Sequence, residues 1–336
     1  MRFADIKKKE VYLGVENILR DSAVLAKHLE RIAIKKAKLD SYRPLETGAL
    51  LRLRDELSLE WTYNSNAIEG NTLTLVETKI IVQDGITIGG KTLREHFEVV
   101  NHQAAIDFIT TLVHPQFIFT DRVFSDVHFL VLKNILQEEA GRYRTMGVRI
   151  GGANFTPPNA LKVPQLMEEL TTQFNAQINE MHPIVLATWF HHRMAWIHPF
   201  VDGNGRTIRL LFNLFLMSQG YPPAIILKAD RKKYYTALNE ANNGQYAKLL
   251  LLVCQATERS LDIYLSNIEN YADSYSPISN IVKEEAVPYG AEYISLLARQ
   301  GKIAAYKEGK VWFTSVKAVN EYMEGRERVR KLKIKN

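Results

Sequence analysis

The sequence predicts a mainly α-helical protein with one short β-hairpin in its middle and a small separate domain at its C-terminus. Three observations favour this fold class. Apolar residues recur at spacings of three and four through the first two thirds of the chain, as they do on one face of a helix. Residues 147–159 instead alternate apolar and polar positions around two glycines. Near Pro277 the composition changes, and a second, basic set of elements follows.

The first two predicted helices lie near the N-terminus. In residues 17–40, four apolar side chains share one helical face: Ile18, Leu25, Leu29 and Ile32. The second helix lies in residues 48–71 and ends at Gly70 and Asn71, because both residue types commonly stop a helix.

Later helices complete the first two thirds of the chain. The glycines at 203 and 205 precede one of them, and Thr120 has the hydroxyl that caps the start of another. The remaining predicted windows are 96–113, 120–136, 161–179, 182–197 and 231–268.

The predicted central hairpin lies in residues 147–159. Val148 and Ile150 alternate with polar residues, the chain turns at Gly151-Gly152, and a double proline ends the segment. This pattern predicts a short hairpin with an exposed edge.

The C-terminal part forms its own predicted unit. Residues 292–300, 301–315 and 316–323 predict a helix, a basic hairpin and a second helix, and a basic tail follows from residue 326. The chain carries a net charge of +6, and residues 275–336 contain 12 Lys and Arg against 7 Asp and Glu. This asymmetry predicts a module with a partner of its own, for which nucleic acid is one option and a solvated basic surface the alternative.

Composition limits the class of protein. At 336 residues, with 46% apolar and 24% charged residues, the chain resembles a globular protein of about two domains. Its single cysteine, Cys254, excludes an intramolecular disulfide. The first ten residues lack the apolar region of a signal peptide, and no stretch approaches the ~20 apolar residues of a membrane helix. We therefore expect a cytoplasmic protein without a membrane partner.

One stretch concentrates polar and flexible residues before an apolar run: "HPFVDGNGRTIR", residues 198–209. Gly203 and Gly205 free the backbone to point several N–H groups inward at a helix start, which is how proteins cradle phosphate. Arg206 and Arg209 are three residues apart, so they can grip neighbouring phosphates from one helix face.

Two further residues of this stretch have side chains suited to nucleotide chemistry. Asp202 offers the hard oxygen ligand that Mg²⁺ uses when it also contacts phosphates. His198 is able to take a proton from an attacking hydroxyl. The stretch therefore predicts a nucleotidyl-transfer site.

Other interpretations of the same residues are weaker. A calcium loop is disfavoured because Arg206 and Thr207 stand where a ligand and a glycine are needed. Zinc binding by His191, His192 and His198 matches no familiar spacing. A helix start with a purely structural role leaves the two arginines and the aspartate without an explanation.

The stretch matches in full the signature of the Fic family, HPFx(D/E)GNGRxxR, and the sequence is therefore similar to this family over roughly residues 50–260. Fic domains are helical, and most transfer AMP from ATP to a protein hydroxyl. The resemblance implies that His198 is the general base and that Asp202 holds Mg²⁺. It also implies that Gly203, Asn204 and Gly205 bind the α-phosphate. The outer phosphates would be bound by Arg206 and Arg209.

A second match lies far upstream. "SNAIEG", residues 65–70, resembles the family's inhibitory motif (S/T)xxxE(G/N). Ser65 and Glu69 are four apart and share a helix face. A carboxylate paired with Arg209 would occupy the space and charge that the γ-phosphate needs. The resemblance thus implies autoinhibition by Glu69.

The resemblance extends to other regions. Residues 141–158 are similar to the segment that leads into the family's flap, a hairpin whose edge holds the target by strand addition. Tyr235 and Asn242 fall where the family lines its adenine pocket. The C-terminal part looks like the small winged-helix modules that end many bacterial Fic proteins, with DNA contact, protein docking and a stabilising role all open.

The sequence thus predicts three regions: residues 1–95 with an inhibitory helix at about 58–70, a catalytic core at 96–270, and a winged-helix-like module with a basic tail at 277–336. The predicted function is a protein adenylyltransferase that moves AMP from ATP to a Ser, Thr or Tyr hydroxyl with the help of Mg²⁺. Removal of AMP at the same site and a DNA-binding regulator with a nucleotide-sensing core are the alternatives. The target protein stays open, and so does formation of a homodimer.

Overall fold

The computed structural model describes residues 22–43, 47–269, 275–283 and 287–334. Part of the first predicted helix window, residues 17–21, lies outside this described part. The helices before residue 270 are α1 (Ala23–Ser41), α2 (Thr47–Ile68), α3 (Leu75–Lys79), α4 (Leu93–Thr111), α5 (Asp121–Leu132), α6 (Val163–Gln177), α7 (Pro183–Ile197), α8 (Asn204–Ser218), α9 (Arg231–Ala241) and α10 (Ala247–Glu269). A π-helical turn, Ile80–Asp84, continues α3, and short 3₁₀ turns, Ala160–Lys162 and Lys228–Asp230, precede α6 and α9.

Threonine hydroxyls fix the starts of several helices. Thr120 caps α5 by accepting a hydrogen bond from the backbone of Val123 at 3.4 Å, as the sequence predicts. Thr92 caps α4 and forms a reciprocal capping box with Glu95. The predicted window 231–268 is divided into α9 and α10 by a turn at residues 242–246.

Helices α7 and α8 lie at the centre of the core. They pack against each other, α8 also contacts α4 and α5, and α1 lies along α10. Both central helices are buried on nearly all faces, and rings from α5, α6, α7 and α8 cluster between them. The loop that joins α7 to α8 is therefore held between two well-packed helices.

The C-terminal module contains β1 (Ser276–Pro277), α11 (Ile278–Ile281), α12 (Ala291–Arg299), β2 (Ala305–Glu308), β3 (Val311–Thr314) and α13 (Val316–Ile334). The predicted helix, hairpin and helix are present as α12, the β2–β3 hairpin and α13. Two features differ from the sequence-based expectation. Strand β1 adds a third strand beside β3, giving the antiparallel order β1-β3-β2, and α13 continues through the basic tail to Ile334.

The module has its own apolar cluster and contacts the core through several of the described residues. On one side, Arg31 of α1 donates to the carbonyl oxygen of Gly301 at 3.0 Å, and Lys35 donates to the Tyr275 hydroxyl at 3.3 Å. On the other side, the β2–β3 turn lies against the 3₁₀ turn before α9, because a Cβ built on Gly309 would stand 3.2 Å from the Cβ of Ala229. In the described part of the chain, no helix combines the length and apolar character needed to cross a membrane.

Candidate active site

The loop from residue 198 to residue 203 reverses the chain between α7 and α8. His198 ends α7 in the left-handed conformation, with φ 50° and ψ 62°. Gly203 also has a positive φ, 73°, and a Cβ there would lie 3.2 Å from side-chain atoms of Leu132 and Val131 on α5. Position 203 therefore requires glycine both for its backbone conformation and for its close approach to α5.

Asn204 and His128 hold this loop from inside. The Asn204 side chain accepts from the backbone N–H of Phe200 at 3.0 Å and donates to its carbonyl at 2.9 Å. The buried Phe200 ring stacks on His128 with centroids 3.6 Å apart, and Nε2 of His128 lies 3.0 Å from the carbonyl of Asp202. The side chain of Asn204 thus closes the loop, which leaves only its backbone N–H for the predicted anion hole.

Arg209 is the point where the two sequence motifs meet. Its guanidinium donates to the hydroxyl of Ser65 at 3.0 Å and to the Ser65 carbonyl at 2.7 Å. The Glu69 carboxylate pairs with it at 2.8 Å. Arg209 is buried, and although burial lowers its pKa, the neighbouring Glu69 charge outweighs this and keeps the pKa raised.

The Glu69 carboxylate lies directly against Gly205 at the start of α8. A Cβ built on Gly205 would fall 2.0 Å from Oε1 of Glu69 and 3.0 Å from Nη1 of Arg209. Only a glycine leaves room for a negatively charged oxygen beside this helix start, where unpaired N–H groups favour anions.

The second arginine of the loop has different partners. Arg206, only 2% exposed, lies 3.2 Å from the carboxylate of Glu98 and 3.7 Å from that of Asp202. Asp202 also pairs with Arg94 and accepts from the backbone of Gly203 at 2.6 Å. Burial raises the pKa of Asp202, but Arg206, the Gly203 hydrogen bond and Arg94 outweigh it, so this pKa is below its ordinary value and the carboxylate is ionised.

A cavity of about 370 Å³ opens beside the loop and is lined by most predicted site residues. His198, Glu69 and the loop from Asp202 to Arg206 form one side of it. Burial lowers the pKa of His198 to about 4, so its ring is neutral near pH 7 and able to accept a proton.

The flap segment, defined as residues 146–158, covers another side of this cavity. Its turn is where the sequence predicts it, with the Ala153 N–H donating to the carbonyl of Ile150 at 3.2 Å. The structure differs from the predicted hairpin because the segment has no strand ladder. Asn239 of α9 accounts for part of this difference, since its side chain bonds the backbone of Gly152 at 3.0 Å and of Asn154 at 3.2 Å.

Tyr235 and Asn242 of the predicted adenine pocket also line the cavity. The Tyr235 ring is half-buried, and the guanidinium carbon of Arg231 lies 5.0 Å from the centroid of this ring. Asn242 lies 2.9 Å from Nε2 of His192 and donates to the flap residue Asn154 at 3.1 Å.

The histidine pair at 191 and 192 has hydrogen-bonding partners within the protein. Nε2 of His191 lies 2.8 Å from the Tyr234 hydroxyl, and Nδ1 of His192 lies 2.6 Å from the Tyr246 hydroxyl. Burial lowers the pKa of His191 to about 3 and that of His192 to about 4. The described ranges contain no group of three or more His, Cys, Asp or Glu side chains that could hold a metal.

Two sets of contacts around the site are not predicted from the sequence. The 3₁₀ turn before α9 and the first residue of α9 hold α2 on both sides of Ser65. The Lys228 N–H donates to the Asn64 side chain at 2.8 Å, and Arg231 donates to the carbonyl of Ile68 at 2.6 Å. Arg144 is buried behind His198. The sequence shows that position 144, in the window 141–158, is an arginine. It does not show which groups the guanidinium contacts.

The chain is similar to proteins of one family. The model of the Fic/DOC family matches residues 119–216. A protein called protein adenylyltransferase Fic from Culex quinquefasciatus is 38% identical over 241 residues, which cover 71% of this chain and 48% of that protein. Its namesake from Nematostella vectensis is 37% identical over 249 residues, covering 72% and 57%. The chain thus spans about half the length of the curated relatives it matches.

Solved structures give the same result for the fold. A Fic domain containing signaling protein from Bacteroides thetaiotaomicron aligns with a TM-score of 0.67 and 26% identity over 71% of this chain and 97% of that one. Fic-1 from C. elegans, residues 134–508, aligns with a TM-score of 0.66 and 31% identity over 74% of both chains. With the complete loop motif, the helical core around it and these similarities, the chain belongs to the Fic family.

Proposed function

We propose that this protein is a protein adenylyltransferase that moves AMP from ATP to a Ser, Thr or Tyr hydroxyl of a target protein. One observation carries the proposal: the Glu69 carboxylate lies 2.8 Å from the buried Arg209, against Gly205 at the start of α8. A helix start with this glycine and a buried arginine is an anion site, and the protein's own carboxylate fills it. The curated relatives named as adenylyltransferases support the choice of ATP.

The chemistry assigns separate tasks to the residues that line the cavity and to Arg209, which reaches it through its contact with Glu69. The neutral ring of His198 takes the proton of the target hydroxyl as its oxygen attacks the α-phosphorus of ATP. The bond from the α-phosphorus to the bridging oxygen breaks, and pyrophosphate leaves with the electron pair. Backbone N–H groups at 203–205 stabilise charge on the α-phosphate, and Arg206 and Arg209 bind the outer phosphates.

A magnesium ion fits the residues present. Asp202 is ionised, lines the cavity and stands beside the phosphate cradle. Mg²⁺ commonly uses one or two carboxylates together with water and substrate phosphates, so Asp202 supplies a sufficient protein ligand. The ion would neutralise phosphate charge. Arg94 and Arg206, which contact Asp202 here, would have to share the carboxylate with it.

Inhibition follows from the same geometry. While Glu69 pairs with Arg209, the outer phosphates of ATP meet a carboxylate where they need an arginine. The nucleotide then binds in a pose whose α-phosphate is poorly aligned with the hydroxyl. Glu69 and Ser65 are therefore proposed as inhibitory residues, and Tyr235 and Asn242 as the adenine pocket.

Removal of AMP is the second candidate function. Glu69 and His198 line the same cavity, and the Glu69 side chain is 30% exposed. A carboxylate in this position is able to orient a water molecule toward an AMP ester. The two functions differ in their dependence on Glu69, since transfer should rise and removal should fall when it is replaced.

The C-terminal module is proposed as a unit that steadies the core. Its hairpin turn packs against Ala229, and Lys307 lies near Asp230 in the same crevice, so the hairpin is engaged with the core. This engagement favours the stabilising role over DNA contact. It also disfavours the alternative of a DNA-binding regulator. The division into residues 1–95, 96–270 and 277–336 is kept, with strand β1 now assigned to the module. The cytoplasmic location and the homodimer stay predictions.

The test uses ATP labelled on the α- or the γ-phosphate. The Glu69→Gly variant is incubated with Mg²⁺ and a protein lysate, and protein-bound label is measured. We expect label from α-labelled ATP alone, and none when His198→Ala is added. Label from γ-labelled ATP would indicate phosphate transfer, and absence of both labels would contradict the transferase.

A further inference from the structure

Arg144 is an arginine with no carboxylate partner among the described residues, although it is only 2% exposed. A buried cation without a counter-ion is costly unless its donor groups are hydrogen-bonded. Here each of the three guanidinium nitrogens donates to a backbone carbonyl. Nε donates to the carbonyl of His198 at 2.8 Å, and Nη2 also reaches the carbonyl of Ile197 at 3.4 Å.

The remaining donors of Arg144 reach the two ends of the flap segment. Nη1 donates to the carbonyl of Met146 at 3.0 Å, and Nη2 donates to that of Pro158 at 2.6 Å. The backbone N–H of Arg144 itself donates to the carbonyl of Pro199 at 2.9 Å. One planar guanidinium thus joins both ends of the flap to the residue that the proposed function makes the base.

We infer that Arg144 is a positioning residue that fixes the flap segment relative to His198, and thereby sets where a hydroxyl held by the flap meets the base. This inference rests on the proposed function. Lysine can replace only part of this network, because an ammonium group is a single point and the four carbonyls lie around a fork. Arg144 does not line the nucleotide cavity, so its effect should fall on the transfer step and not on ATP binding.

The contribution is expected to be large in rate. A misplacement of about 1 Å caused by a change away from the chemistry can cost ~10²-fold. In the Glu69→Gly background, Arg144→Met should lower kcat about a hundredfold and leave the KM for ATP within about twofold. Arg144→Lys should recover part of this loss. Arg142→Met is the matched control, because Arg142 is exposed and only two residues away.

Two results would overturn the inference. The first is a kcat of Arg144→Met and Arg144→Lys equal to that of the Glu69→Gly parent. The second is a rise in the KM for ATP that accounts for the whole loss. An inactive Glu69→Gly parent would instead contradict the proposed function.

A measurement without catalysis keeps the inference testable in every case. Hydrogen exchange of the amides in residues 147–155 and 198–203 should be faster in Arg144→Met than in the wild-type protein, and unchanged in Arg142→Met. Arg144→Lys serves the same comparison if the methionine variant does not fold. Equal exchange in all of these proteins would refute the positioning role.

Discussion

Replacing Glu69 with glycine should release the proposed inhibition. Glu69 pairs at 2.8 Å with Arg209, whose side chain is 3% exposed, while the Glu69 side chain is 30% exposed. Disrupting a buried ion pair commonly costs about 3 to 5 kcal/mol. Because Glu69 is partly exposed, we take the cost for this pair as about 3 kcal/mol. ATP must overcome this cost to seat its outer phosphates on Arg209. Since 1.4 kcal/mol corresponds to tenfold, we expect kcat/KM for AMP transfer to rise by about a hundredfold.

The assay compares AMP incorporation at equal ATP and Mg²⁺ concentrations. Glu138→Gly is the control, because it removes an exposed carboxylate of a turn that does not line the cavity. Arg209→Ala in the Glu69→Gly background should abolish the gain, because the clamp for the phosphates is lost. An unchanged rate for Glu69→Gly would refute the inhibitory assignment of Ser65 and Glu69.

Thermal unfolding gives a second measure of the same pair. Glu69→Gly removes the carboxylate partner of the buried Arg209 and leaves it with uncharged partners such as the two Ser65 oxygens, so the melting temperature should fall. Saturating ATP should restore it more in this variant than in the wild-type protein, because a ligand stabilises the folded state according to its affinity. Equal stabilisation by ATP in both proteins would mean that the carboxylate and the phosphates do not compete.

Four further outcomes are expected. The kcat/KM of Glu69→Gly should be flat from pH 6 to 8 and fall only as the pH drops through about 4. The reason is that burial lowers the pKa of His198 to about 4 and the base must be unprotonated. A fall in kcat/KM centred near about pH 6.5 would contradict this. Gly205→Ala in the same background should raise the KM for ATP at least about tenfold, since its Cβ would take the place of a phosphate oxygen; an unchanged KM would move the phosphates elsewhere. Arg231→Ala alone should raise AMP transfer by about threefold to tenfold, because it frees the end of α2 at Ile68, and should add nothing to Glu69→Gly. Removal of residues 275–336 should leave a folded core that still transfers AMP in the Glu69→Gly background, and an insoluble product would show that the module belongs to the core.

Much of the fold was predictable because helices depend on local spacing. The predicted windows match the helices before residue 270 except α3, which no window covers, and the hydroxyl of Thr120 caps α5 as expected. Strand β1 could not be predicted, since two residues carry no period and their partner, β3, is more than 30 residues away. Paired strands in the flap were expected from the alternation of apolar and polar residues alone. Instead, the side chain of Asn239, on a helix distant in sequence, bonds the flap backbone.

The loop motif was predictable because twelve consecutive residues carry it. The contacts that organise the loop were not, because they join residues that are far apart in sequence. His128 stacks under Phe200, and Arg144 bonds the carbonyl of His198 from a position 54 residues earlier. A buried histidine or arginine has no signature that distinguishes it from an exposed one until the packing is known.

The pairing of Glu69 with Arg209 explains why an anion site can exist in the absence of its ligand. Arg209 is buried, and the start of α8 adds unpaired N–H groups beside it. Without an anion, this concentration of positive charge in a poorly solvated pocket would be strongly unfavourable. The Glu69 carboxylate supplies the missing charge, so the feature that stabilises the resting protein is also the one that competes with phosphate. Stability and inhibition are therefore coupled, and a variant that is more active for this reason must also be less stable without nucleotide.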